Sequence, residues 1–80
     1  MNSAFARKFV SDELRESLLW CGLVDNYHCK TKKVEGGKTY YELETKIGKV
    51  YVYSPNSIKI NNERVKSLTQ AKQLLVKYLE

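Results

Sequence analysis

Residues 38–54, KTYYELETKIGKVYVYS, decide the fold. Apolar or aromatic residues recur there at every second position, among β-branched and Tyr residues, which is the signature of two half-buried β-strands. Strand 38–46 turns Tyr41, Leu43 and Thr45 inward, and strand 49–54 turns Val50 and Val52 inward. The sets face each other with Leu43 against Val52 and Thr45 against Val50, which puts Ile47-Gly48 at the turn. Glu42, Glu44, Tyr51 and Tyr53 then lie on the opposite face.

The preceding strand is expected at 27–34, joined through the Gly36-Gly37 pair. A two-residue turn there would set Lys30 against Leu43 and Cys29 against Glu44, mixing apolar and charged residues on both faces. A three-residue loop, Glu35-Gly36-Gly37, pairs Cys29 with Leu43 and Thr31 with Tyr41 instead, and is the expected form. It places His28, Lys30 and Lys32 on the solvent side, with Lys30 beside Glu42, His28 beside Glu44 and Lys32 beside Tyr40.

Outward from this ribbon the chain is flanked by helices. Ser11, followed by Asp12 and Glu13, reads as an N-cap with acidic residues in the first turn. A helix over 11–21 carries Leu14, Leu18 and Cys21 on one stripe, and Gly22 stops it. Residues 1–10, with Phe5, Phe9 and Val10, either extend this helix backwards or form an arm; Arg7 and Lys8 read as a solvated face. Trp20 falls beside the stripe and reads first as partly buried; if exposed, it becomes the foremost binding anchor. After Ser54-Pro55-Asn56 comes a short strand, 58–60, reversed by Asn61-Asn62 towards Arg64-Val65. Ser67 caps a final helix over 68–79, with Leu68, Ala71, Leu75 and Leu79 on one face.

The expected fold is one α+β domain spanning 1–80: N-terminal helix, antiparallel meander of three longer strands plus a short β element, and C-terminal helix, the helices packed on one sheet face. An 80-residue chain leaves no room for a second lobe around an enclosed cleft. The order resembles the double-stranded-RNA-binding domain, and Ala71-Lys72 is similar to that family's basic helix terminus. Leu68-Thr69-Gln70 stands where the family has a lysine cluster, however, Glu35-Gly36-Gly37 replaces its Gly-Pro-x-His type loop, and the 58–65 element is extra. The chain is not assigned to that family.

No residue pattern announces catalysis. Gly36-Gly37 lies in a hairpin rather than between a strand and a helix, so it is no phosphate cradle. Glu42 and Glu44 alternate on an open face where nothing desolvates them, and His28 has no nucleophile or acid near it in sequence. Cys21, His28 and Cys29 lack a fourth ligand and match no zinc spacing. No enzyme activity, cofactor, metal or small-molecule substrate is expected. The opening MNSAFARKFV lacks a long apolar core and no run approaches a membrane span, which points to the cytoplasm and to reduced thiols.

Fourteen Lys and Arg against nine Asp and Glu give +5, a charge that favours anionic partners without requiring one. The first expectation is a small accessory or regulatory protein that binds another protein of nucleic-acid metabolism or host defence, in the manner of a phage-type modulator or inhibitor. Its contact residues would be Trp20, Tyr40, Tyr51 and Tyr53. Abundant Lys, Asn, Tyr and Ile fit an AT-rich genome such as that of many phages. The alternative is direct DNA or RNA binding through a basic patch at one sheet end, Lys46, Lys49, Lys59 and Arg64; a third is a scaffold or capsid-associated role. A base-stacking role for the tyrosine face is disfavoured at this point, because Glu42 and Glu44 run down the middle strand and compensate its charge.

Overall fold

The computed structural model describes residues 3–79. The chain runs α1 (Ser3–Trp20), a single 3-10 turn at Tyr27–Cys29, β1 (Lys30–Glu35), β2 (Lys38–Thr45), β3 (Gly48–Ser54), β4 (Ser57–Ile60), β5 (Glu63–Val65) and α2 (Leu68–Tyr78). The strands form one antiparallel sheet in the order β1-β2-β3-β4-β5. α1 packs on β2 and β3, α2 packs on β4 and β5, and the two helices touch each other. The expected α+β architecture is therefore the one observed. Its short β element consists of the two strands β4 and β5, joined by Asn61 and Asn62 at φ 48° and 72°.

Alternation fills the core. Leu43, Val50, Val52, Ile58 and Ile60 are fully buried under Leu14, Leu18 and Leu75 of the helices. Because strand side chains alternate, Tyr40, Glu42, Glu44, Tyr51 and Tyr53 project from the other face, which neither helix covers.

α1 begins at Ser3, well before the expected start at Ser11. Ser11 is not a cap: it is fully buried within the helix, and its hydroxyl donates to the Lys8 carbonyl at 2.8 Å. Val10, Leu14 and Leu18, spaced four apart, carry the buried stripe. Arg7 is not simply solvated, since its Nε donates to the Tyr53 carbonyl at 3.1 Å. That carbonyl lies where the β3–β4 register shifts between Val52 and Ser54, so an arginine fills a bond the ladder leaves open. Gly22 at φ 71° ends the segment after α1 as expected, and the Ser67 hydroxyl caps α2 by accepting from the Gln70 N–H at 3.1 Å.

Two registers differ from expectation. β2 pairs with β3 as Tyr41 to Val52 and Leu43 to Val50, with Thr45 opposite Gly48 and Lys46-Ile47 at the turn. The shift is two residues, so every side chain keeps its face. Thr45 closes this turn: its hydroxyl donates to the Gly48 carbonyl at 2.6 Å and accepts from the Ile47 N–H at 3.1 Å.

The first hairpin differs by one residue, and its consequences are larger. Glu35 pairs with Lys38 around a two-residue Gly36-Gly37 turn, so Lys30 lies opposite Leu43, Lys32 opposite Tyr41 and Lys33 opposite Tyr40. Gly36 and Gly37 take φ 60° and 77°, the pair of positive values a type I′ turn demands. β1 is therefore inverted relative to the three-residue loop: Lys30 and Lys32 face the helical side, while Thr31 and Lys33 join the open face. The apparent penalty of an inward lysine is met by α1, because Lys30 Nζ bonds Asp12 Oδ1 and lies 4.5 Å from the Tyr41 ring centroid. Asp12 also pairs with Arg15 at 3.1 Å, and Arg15 stacks on Tyr27 and donates to its hydroxyl at 2.7 Å. Cys29 and His28 belong to the 3-10 turn rather than to a strand, with the Asn26 side chain accepting from the His28 N–H.

Candidate functional site

The open sheet face gathers the tyrosines. Tyr51 and Tyr53 follow one another on the same side of β3, with rings stacked at 15° and centroids 5.9 Å apart. Tyr40, on β2, lies 6.1 Å from Tyr51 and 5.4 Å from Tyr53. The rings are half-buried by one another, which fixes their positions while leaving part of each accessible. Arg7 holds the backbone of Tyr53 from below, and Arg64 approaches its ring from β5 at 5.6 Å. A hollow of about 300 Å³ opens beside Tyr40 and Tyr53, bounded by Glu35, Lys38 and Thr39.

The inversion of β1 takes Lys30 and Lys32 off this face and brings Lys33 and Glu35 onto it. Side-chain alternation puts Lys33, Lys38, Lys49, Lys59 and Arg64 on it against Glu35, Glu42 and Glu44. Glu42 is nearly buried and is bracketed by Lys33 at 3.8 Å and Lys49 at 3.4 Å. Glu35 accepts the Tyr40 hydroxyl at 3.0 Å. That bond, more than burial, raises the Tyr40 pKa and keeps its phenol neutral. Lys49 is held more firmly protonated than an ordinary lysine, first by its hydrogen bond to Glu42 and then by the charge of that carboxylate. Across the middle of the sheet runs the row Thr31, Glu42, Tyr51, Lys59, Arg64. Lys59 and Arg64 form no ion pair among the described residues.

The two groups of expected contact residues are redistributed. Tyr40, Tyr51 and Tyr53 come together, but Trp20 lies at the end of α1 on the helical side, 89% exposed. There it lines a hollow of about 270 Å³ with Ser17, Cys21, Lys72, Leu75 and Val76. Of the basic set, Lys49, Lys59 and Arg64 join the tyrosine face. Lys46 does not, since its ammonium pairs with Asp25 of the α1–β1 connection at 3.0 Å. The basic residues thus surround the aromatic cluster instead of forming a separate patch at one sheet end. Lys33 was absent from both expected sets; the readable signal for it was Gly36-Gly37 itself, a dipeptide suited to a two-residue turn.

A histidine, a cysteine and carboxylates do share a hollow of about 340 Å³, lined by Asp25, Asn26, His28, Cys29, Thr31 and Glu44. Burial pushes the Cys29 thiol up, against the opposing pull of Arg15, which is the reverse of an activated nucleophile. Cys21 and Cys29 are free thiols. Among the described residues no helix is long and apolar enough to cross a membrane. The chain matches no family model, no curated protein and no solved structure.

Proposed function

We propose that this is a non-enzymatic accessory protein that acts by binding a macromolecular partner, with the uncovered face of its sheet as the contact surface. The reading is carried by Tyr40, Tyr51 and Tyr53, three rings in mutual contact on the side of the sheet opposite the helices. Tyrosine provides large contact area with little side-chain entropy to lose, and a cluster whose rings already touch loses less still on binding. The partner classes are those named from the sequence, a protein of nucleic-acid metabolism or host defence, and nucleic acid itself. The test is capture from cell extract by immobilised full-length protein. Alanine at Tyr51 and Tyr53 together abolishes partner capture in this account, whereas alanine at Trp20 leaves it intact.

A second reading is favoured by one observation, the 89% exposure of Trp20 at the mouth of an apolar-walled hollow. It places a protein partner on the helical side. Capture that is lost with Trp20→Ala and kept with the tyrosine variants selects it over the first.

A further inference from the structure

We infer that the partner of the tyrosine face is single-stranded nucleic acid, with bases on Tyr40, Tyr51 and Tyr53 and phosphates on Lys33, Lys49, Lys59 and Arg64. The inference rests on the proposed use of this face as the contact surface and adds the chemical class of what is bound.

Three observations carry it. The first is composition by position: aromatic rings occupy the centre of the face, and cations surround them on β1, β3, β4 and β5. Lysine is depleted at protein–protein contacts, whereas a lysine surround about aromatic rings is what an exposed base and its phosphate require. The second is the state of Glu42, the carboxylate that would most directly repel a phosphate. It is nearly buried and bracketed by Lys33 and Lys49, so the centre of the face presents no free negative charge. Glu35 keeps its charge, since only the neutral Tyr40 hydroxyl bonds it, but it lies beside the first hairpin turn and Glu44 near the opposite one, so both exposed carboxylates sit at the ends of the face. The third is space: the hollow of about 300 Å³ beside Tyr40 and Tyr53 adjoins Lys38 and equals roughly ten waters' share of liquid volume, enough to seat a planar base.

A duplex fits less well. Its bases are closed within the stack, so the tyrosines would gain nothing from it and only the cations would contribute. The arrangement instead joins a backbone-tracking set of charges to ring faces that every base can use, which implies tolerance of sequence and preference for unpaired strands.

The experiment is a fluorescence-anisotropy titration of the full chain with labelled 12-mers of thymidine and uridine and with a duplex of equal length, between about 20 and 200 mM salt. The single strands are expected to bind more tightly than the duplex, with log K falling against log salt at a slope of about −2 to −3 for three or four phosphates. Tyr51→Ala and Tyr53→Ala each weaken binding by roughly tenfold or more. Tyr51→Phe, which keeps the ring, stays near the parent value, and a far-UV circular dichroism spectrum and melt of Tyr51→Ala matching the parent show that the alanine effect is loss of stacking rather than of fold. Lys59→Ala lowers the salt slope by about 0.7, and Trp20→Ala changes nothing. Absence of strand binding at the lowest salt, or duplex binding of equal strength indifferent to Tyr51→Ala, overturns the inference. If strands do not bind but extract capture still depends on Tyr51 and Tyr53, the face remains the contact surface and only the ligand class is wrong. Capture that depends on Trp20 alone removes both.

Discussion

Replacing Asp12 by alanine tests the inversion of β1 on which the composition of the open face depends. Asp12 is shared by Arg15 and Lys30, whose side chains are only 11% and 12% exposed, while the carboxylate itself is 36% exposed. Breaking a fully buried pair costs about 3–5 kcal/mol because a charge is left without a partner. A fully exposed pair contributes about 0–1 kcal/mol. Asp12 lies between these limits: its partners are enclosed but water reaches the carboxylate, and Arg15 keeps the Tyr27 hydroxyl at 2.7 Å. A loss of about 2 kcal/mol follows, tempered by that screening, which in a domain of this size lowers Tm by roughly 8–16 °C. Urea unfolding followed by far-UV circular dichroism reads it directly. Lys30→Met is the informative companion, because it leaves Asp12 paired with Arg15 and keeps an apolar stem against Tyr41. Its cost should stay under about 1 kcal/mol, since hydrophobic replacement of an enclosed charge is often neutral. Lys33→Met on the open face should fall within about 0.5 kcal/mol, with Glu42 still held by Lys49. A cost below about 0.5 kcal/mol for Asp12→Ala, together with a larger one for Lys33→Met, would place Lys33 inside and Lys30 outside, and the reasoning would fail.

Other outcomes follow from the same contacts. Leu43→Ala, at the fully buried centre of the sheet, should cost about 2–5 kcal/mol by urea denaturation. Gly36→Val should be strongly destabilising and Gly36→Asn tolerated, because φ 60° admits Asn but not a β-branched residue; thermal melts rank the two. Arg7→Met should remove about 1 kcal/mol by freeing the Tyr53 carbonyl, and backbone amide exchange around Tyr53 should rise with it. Stability should fall as pH rises through the alkaline range. Cys29, Tyr40 and Lys49 all hold their protons more tightly when folded, so the unfolded chain loses them first. The contribution is complete below the ordinary values of 9.0, 10.0 and 10.5 and is lost as pH passes through the raised ones; denaturant midpoints unchanged between pH 8 and 11 would contradict this.

What the sequence made legible was what depends on local pattern. The alternation of Leu43, Val50 and Val52 assigned the faces of β2 and β3, and Gly22, Asn61-Asn62 and Ser67 marked the end of the first helix, the β4–β5 turn and the start of α2 from backbone chemistry alone. The β2–β3 register was missed by two residues, a shift that moves no side chain to the other face and so leaves no trace in hydrophobic pattern. β1 failed for a different reason. It is an edge strand that the helices cover only in part: Lys32 is exposed and Val34 is 69% exposed although both share the face of Lys30. An apolar-inward rule has little force on such a strand, and the partner that makes Lys30 acceptable is Asp12, eighteen residues earlier in the chain. A helix starting at Ser11 makes Asp12 a first-turn residue. With the helix begun at Ser3, Asp12 sits mid-helix and faces the sheet. The tyrosine cluster was half visible, its members named but its charge surroundings drawn from the wrong face of β1. Trp20 resisted because its position beside the stripe does not reveal whether a neighbouring helix will cover it.

The most direct test is a two-dimensional NMR titration of the full chain with the thymidine 12-mer at low salt. Amide shifts should move at Tyr40, Glu42, Tyr51, Tyr53 and Lys59 and broaden together, while the Trp20 indole and the amides of Leu75 and Val76 stay fixed. Shifts that gather instead at Trp20 and Val76, with the tyrosine strands unmoved, would contradict the account.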